Sequence, residues 1–150
     1  MTGAALLDVN LLVALFEPDH VHHEVAHDWF ADNHENGWAT CALTQSGFVR
    51  ILANPRYPTG HHRPGVLLNH LAQLCASTHH VFWADAPSLT DTRIFDPAYI
   101  RGHRQISDVY LLGLAKTMGG HLATLDASIP LGAVIGATRD TLAVISAATG

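Results

Sequence analysis

The stretch ISDVYLLGLAKTMGGHLATLD, residues 106–126, decides the fold. Ser107 opens a strongly apolar helix through Leu111, Leu112 and Leu114, and Gly119-Gly120 stops it, as helices ending in left-handed glycine do. His121 to Thr124 then reads as a buried strand that ends just before Asp126. A helix that feeds straight into a buried strand is half of a parallel crossover unit.

The rest of the chain repeats this alternation. Ala4 to Leu7 is a short apolar run ending at Asp8, after which Leu11, Leu12, Ala14 and Leu15 recur at helical spacing until Glu17-Pro18. Asp19 is placed to cap a second helix from about His20 to Asn33, ended by Gly37. Trp38 to Cys41 predicts a second strand, and Thr44 opens a helix that runs to Asn54-Pro55. Arg56 to His62 reads as a loop, Pro64 to about Ser77 as a helix with proline in its first turn, and Val81 to Trp83 as a third strand. Thr90 to Arg101 is ambiguous and reads as a short helix and a loop, and Leu142 to Ile145 predicts a fifth strand. The expectation is an α/β fold with a mainly parallel, roughly five-stranded sheet covered on both faces.

Length and composition bound the function. With 150 residues, 48% hydrophobic and 14% charged, the chain suits one core, so residues 1–150 are expected to form a single domain. A net charge of −5 argues against a protein that grips nucleic acid through a broad basic face. It leaves room for a metal-dependent nuclease, which gathers carboxylates around an ion, with Arg50, Arg56, Arg63, Arg93, Arg101 and Arg104 available to line a groove. Cys41 and Cys75 have no CxxC spacing, the N-terminus has no basic region, and Asp8 and Asn10 interrupt its apolar run. These features predict a reduced cytoplasmic protein with neither signal peptide nor membrane span.

In a parallel sheet with helical crossovers, ligands bind at the carboxyl ends of the strands, where Asp8, Asp126 and the Thr44-Gln45 segment fall; Asp108 stands in the first turn of the helix before the fourth strand. Each aspartate has a plain structural reading: Asp8 as a helix cap, Asp108 as a helix-start residue, Asp126 as a turn residue. Together they match what a hard divalent cation requires, a few carboxylates plus water, in a site that activates water against a phosphodiester.

Three competing motifs are weaker. His23-Glu24-Val25-Ala26-His27 is a formal HExxH, but Phe30 and Asn33 stand where the extended zinc-protease pattern needs glycine and histidine. LDVN lacks the second carboxylate of an aspartyl phosphatase, because that position is Asn10. Gly119-Gly120 and Gly132 to Gly136 match no phosphate-cradling spacing and read as turns.

Three blocks, LLDVNLLVAL, WATCALTQSGFVRILANP and ISDVYLLGLAKTMGGHLATLD, resemble in that order those of VapC-like PIN-domain ribonuclease toxins, and together span most of the chain. The resemblance implies a three-layer α/β/α PIN fold, Mg²⁺- or Mn²⁺-dependent cleavage of RNA, homodimerisation and inhibition by a cognate antitoxin. By position it gives Asp8 and Asp108 as principal metal ligands, Asp126 as a further acid of the site, and Asn10 and Thr124 as supporting polar residues. One departure stands out: the family usually carries a glutamate where this chain has Gln45, which keeps an oxygen but loses the charge and any role as a base. The alternative reading is therefore a catalytically impaired PIN-like module that holds RNA or a protein, and a third is a DNA nuclease of similar fold.

Overall fold

A computed structural model describes residues 3–60 and 62–147. Strands β1 (Ala5–Leu7), β2 (Trp38–Cys41), β3 (His80–Trp83), β4 (His121–Thr124) and β5 (Leu142–Val144) form one sheet in the order β3-β2-β1-β4-β5, with every neighbouring pair parallel. Five helices lie between them: α1 (Val9–Phe16), α2 (His23–Asn33), α3 (Ala42–Leu52), α4 (Pro64–Cys75) and α5 (Ile106–Thr117).

Alternation along the strands divides the core in two. Ala5, Leu7, Trp38 and Ala123 pack with Leu11, Leu12, Phe48, Leu52, Leu67 and Leu71 from α1, α3 and α4. Leu6, Ala39, Cys41 and Leu122 point the other way, against Val109, Leu111, Leu112 and Leu114 of α5 and against Phe95, Ile129 and Val134 from irregular segments. The period of two therefore places helices on both faces, the three-layer arrangement expected.

The double glycine after α5 does two jobs. Gly119 (φ 73°) takes the left-handed conformation, its N–H bonds Lys116 O at 3.1 Å and the Gly120 N–H bonds Ala115 O at 2.9 Å, the paired closure of a Schellman end. Gly120 itself is needed for space, since a Cβ there would meet the Ala4 carbonyl and lie 2.8 Å from the Trp83 ring. The helix end and the start of β4 are thus fixed by two residues with different constraints.

Two boundaries differ from the sequence reading. α2 starts at His23 rather than His20, and Asp19 does not cap it; the N-cap is His22, with no side-chain cap bond. Two consecutive turns, His20 N–H to Glu17 O and His23 N–H to His20 O, delay the helix, while the Asp19 N–H donates to the Glu17 carboxylate at 3.4 Å. α3 begins at Ala42, and Thr44 sits inside its first turn, where its hydroxyl accepts from Cys41 N–H at 3.0 Å and donates to Cys41 O at 3.1 Å. The Thr90–Arg101 segment agrees with its reading, being a loop that contains a short 3₁₀ helix at Pro97–Tyr99 and is tied by the Phe95–Val134 bridge. Among the described residues no helix is long and apolar enough to cross a membrane.

Candidate functional site

The strand order turns back between β1 and β4, so the carboxyl ends of these two neighbours flank the switch point of the sheet. Asp8 follows β1 directly and Asp126 lies two residues past β4. α5 runs back across the sheet before β4, which brings its first turn, and Asp108 within it, to the same edge. Topology alone thus carries three aspartates to one place.

Thr124 ties two of them together. Its hydroxyl donates to Asp8 Oδ2 at 2.7 Å and accepts from Asn10 Nδ2 at 3.2 Å and from the Asp126 N–H at 3.1 Å, so its donor and both acceptor positions are used. Asn10 Oδ1 accepts the Leu125 N–H at 3.2 Å, and the Asp8 N–H reaches Ala123 O at 2.9 Å. The first turn of α1 is thereby stitched to the end of β4 by side chains and backbone together. Asp8 is also the N-cap of α1, its Oδ1 accepting the Val9 N–H at 2.7 Å, so the plain reading of this residue holds beside the functional one.

Burial and neighbouring negative charge act on two of the carboxylates. Burial raises the Asp8 pKa; bonds from Thr124 and Val9 oppose the shift, and the charge of Asp126 adds to it. Asp108 is pushed up to about 6, first by burial and then by the charges of Asp8 and Asp126. No lysine or arginine features among the groups that shift either residue. A cluster of this kind holds uncompensated negative charge that a cation would relieve.

The donor set suits a hard, water-rich ion rather than an all-protein cage. Among the described residues no three His, Cys, Asp or Glu side chains are gathered closely enough to enclose a metal. Asp126 Oδ1 is turned onto Ser128, accepting from its N–H at 2.8 Å and its hydroxyl at 2.6 Å. Asp8, buried, and Asp108, half-buried, could hold a divalent cation through one or two carboxylates and retained waters. Ser128 escaped the sequence reading; its signal is the Asp-x-Ser spacing of an Asx turn.

Gln45 has a separate hydrogen-bond partner. Its amide donates to Thr40 Oγ1 at 3.0 Å, and the residue lines a groove between α3 and α4 with Ala42, Arg50, Pro64 and Leu68, to which none of the three aspartates contributes. Of the other arginines, exposed Arg93 is paired with Asp91 at 2.9 Å.

The HExxH histidines have a structural use. His23 Nδ1 bonds Ala14 O at 2.7 Å and His27 Nε2 bonds Leu15 O at 3.2 Å, with ring centroids 4.4 Å apart, so both cap the C-terminal carbonyls of α1. Glu24 is exposed. Cys41 and Cys75 are free thiols.

An all-parallel sheet of this order, helices on both faces and acids at its switch point define the PIN-like α/β/α class. The solved structure of VapC20 from Mycobacterium tuberculosis, described as a sarcin-ricin-loop-cleaving toxin, superposes with a TM-score of 0.61 over 84% of this chain and 92% of its own, at 14% identity. Sequence similarity is closer elsewhere: ribonuclease VapC44 of the same organism is 43% identical over 144 residues, covering 94% of this chain and 99% of the relative. Ribonuclease VapC39 is 39% identical over 125 residues, 83% and 90% of the two chains. No family model matches. The chain belongs to the VapC ribonuclease family.

Proposed function

We propose that the chain is an endoribonuclease, the toxin half of a toxin–antitoxin pair, which hydrolyses RNA phosphodiester bonds with the help of Mg²⁺ or Mn²⁺. The observation that carries this reading is the convergence of Asp8, Asp108 and Asp126 at the switch point, where the charges of Asp8 and Asp126 act on Asp108 with no cationic side chain among the groups that shift it. Asp8 and Asp108 would hold the ion. When bound, it supplies a Lewis acid that makes water a usable nucleophile at neutral pH and steadies charge on the phosphoryl oxygens.

The chain's own contribution is orientation. Thr124 fixes Asp8 through Oδ2 and the Val9 N–H fixes it through Oδ1, so the carboxylate is held in one rotamer before substrate arrives. Asn10 braces Thr124, and Asp126, its side chain held by Ser128, adds negative charge. Gln45, a neutral amide bonded to Thr40, would help to orient the ion's water shell.

Two further roles rest on family membership: pairing with a cognate antitoxin, and homodimerisation. The whole chain is taken to act as one PIN-like unit, in the cytoplasm, where its RNA is. Titration of Mn²⁺ by electron paramagnetic resonance tests the site: binding to wild type, weakened at least tenfold in both Asp8→Asn and Asp108→Asn, is the expected result. Equal Mn²⁺ binding by all three proteins would remove these residues from the site.

A second reading has its own observation. The position that carries glutamate in the resembling toxins is here an amide bonded to Thr40, so the chain is short of one acid. On that reading it holds RNA or a protein without cutting, and RNA affinity with no cleavage in saturating Mn²⁺ distinguishes it.

A further inference from the structure

A groove of about 710 Å³ runs between α3 and α4. Gln45, Val49 and Arg50 of α3, with Asn54 just past its end, line one side, and Pro64 and Leu68 of α4 line the other. From Gln45 to the end of α3 it extends about 10 Å along the helix axis. Its Gln45 end opens near the aspartates. α3 starts directly after β2, the strand beside β1, and Gly47 lies so close to Val9 that a Cβ there would stand 2.7 Å from a Val9 methyl. Val9 in turn follows Asp8 and donates its N–H to that carboxylate at 2.7 Å. The turn of α3 that carries Gln45 and Gly47 therefore packs on the residue next to Asp8.

Both walls come from a stretch with its own charge balance. Residues 36–84 contain no Asp or Glu but carry Arg50, Arg56 and Arg63, whereas all 13 acidic residues of a chain with net charge −5 lie outside it. The groove shows the same bias: Arg50 lines it and no carboxylate does, while the cleft along α1 holds Glu17 and Asp19, and the one beside β5 holds Asp28. Arg50 is exposed and, among the described residues, has no hydrogen-bond or ion-pair partner, unlike Arg93, which is taken up by Asp91. The other wall is apolar and open to solvent, with Leu68 54% exposed. An unpaired guanidinium and an exposed apolar wall in one groove match a ligand with regular negative charge along one side and flat apolar faces along the other. Single-stranded RNA is such a ligand.

We propose that this groove carries the RNA strand away from the cleavage site, with Arg50 bound to a backbone phosphate and the bases lying against Val49, Pro64 and Leu68. The track rests on the ribonuclease reading for its purpose, but its binding is measurable without cleavage. A duplex keeps its base faces stacked inside and has none to offer the apolar wall, so the groove takes a single strand. Among the described residues no aromatic ring lines it, so affinity is expected to follow the backbone rather than the base sequence.

Fluorescence anisotropy of a short labelled RNA of mixed sequence, titrated with antitoxin-free protein in chelator, tests the track with cleavage switched off. Arg50→Ala is expected to weaken binding roughly fivefold. It should also lower the slope of log affinity against log salt by about 0.7, the value for one phosphate on a single strand. Leu68→Glu, which sets a negative charge on the apolar wall, should weaken binding as well, and Arg93→Ala should leave it unchanged. Arg50 and Leu68 are both exposed, so melting curves of their variants should match wild type. RNA affinity unaltered in both Arg50→Ala and Leu68→Glu would overturn the track and leave the groove to a protein partner. An equal loss in Arg93→Ala and Arg50→Ala, or no RNA binding by wild type, would overturn it too. Metal-dependent cuts by wild type with an affinity indifferent to Arg50 would do the same while keeping the nuclease reading. Binding through Arg50 with no cleavage of any RNA in Mn²⁺ would keep the track and remove that reading.

Discussion

Asp108 carries the most direct pH prediction. Its folded-state pKa of about 6 lies above the unfolded value of 3.8, so the folded chain holds the proton more tightly than the unfolded one. The contribution to stability is fullest below about pH 4, is lost as the pH rises to about 6, and changes little above that. Because the group is half exposed, solvent screening limits the loss to on the order of 1 kcal/mol. Denaturant unfolding in chelator between pH 4 and 7 should show this slope in wild type and a flatter one in Asp108→Asn; parallel curves would mean that Asp108 is not perturbed. Asp8 acts in the same direction through its own burial. Thr124→Val keeps the shape but strips Asp8, Asn10 and the Asp126 N–H of their shared partner, and should cost about 1–3 kcal/mol in a buried setting. These partners were only partly legible in the sequence. Asp8 stood out by its place between strand and helix, and Asn10 and Thr124 only through the family resemblance, but the single hydroxyl that joins them spans 116 residues to Asp8 and belongs to tertiary structure.

At the level of elements, the α5 to β4 segment was read almost completely, because its period, double glycine and apolar strand all agree. Gly113 adds a constraint that no periodicity reveals. A Cβ there would run into the ring of Phe95, buried at 1% exposure on an irregular segment, so Gly113→Ala should destabilise by roughly 1–3 kcal/mol, visible as a lowered melting temperature. The start of α2 was misread for a related reason. Asp19 is a good cap by residue type, but the chain there is held by Glu17, whose partners Thr59 and His62 lie on a distant loop. Gln45 shows the same limit: its place in the chain was clear, whereas its turn towards Thr40 depends on β2. The HExxH helix gives a clean contrast between motif and use. Glu24→Gln should leave RNA cleavage unchanged, and His23→Ala should lower stability by about 1 kcal/mol through the loss of a bond to the end of α1. Loss of cleavage in Glu24→Gln would contradict the structural role.

For the whole molecule, sheet order follows from the alternation of short apolar strands with helices, and the site follows from where that order reverses. The net charge of −5 then has a local meaning, since part of it is collected at one edge. If Asp8 and Asp108 hold an ion as proposed, its binding should stabilise the fold by about 2.7 kcal/mol at a hundredfold excess over the dissociation constant. Melting at pH 7.5 should therefore rise with Mn²⁺ in wild type and stay flat in Asp8→Asn. The central claim, that the three aspartates form a ribonuclease site, is tested most directly by incubating antitoxin-free protein with total cellular RNA and Mn²⁺ and sequencing the new 5′ ends, beside Asp8→Asn and Gln45→Glu. Discrete cuts by wild type that vanish in Asp8→Asn, with its fold intact, are the predicted result; cuts that persist undiminished in Asp8→Asn would contradict it.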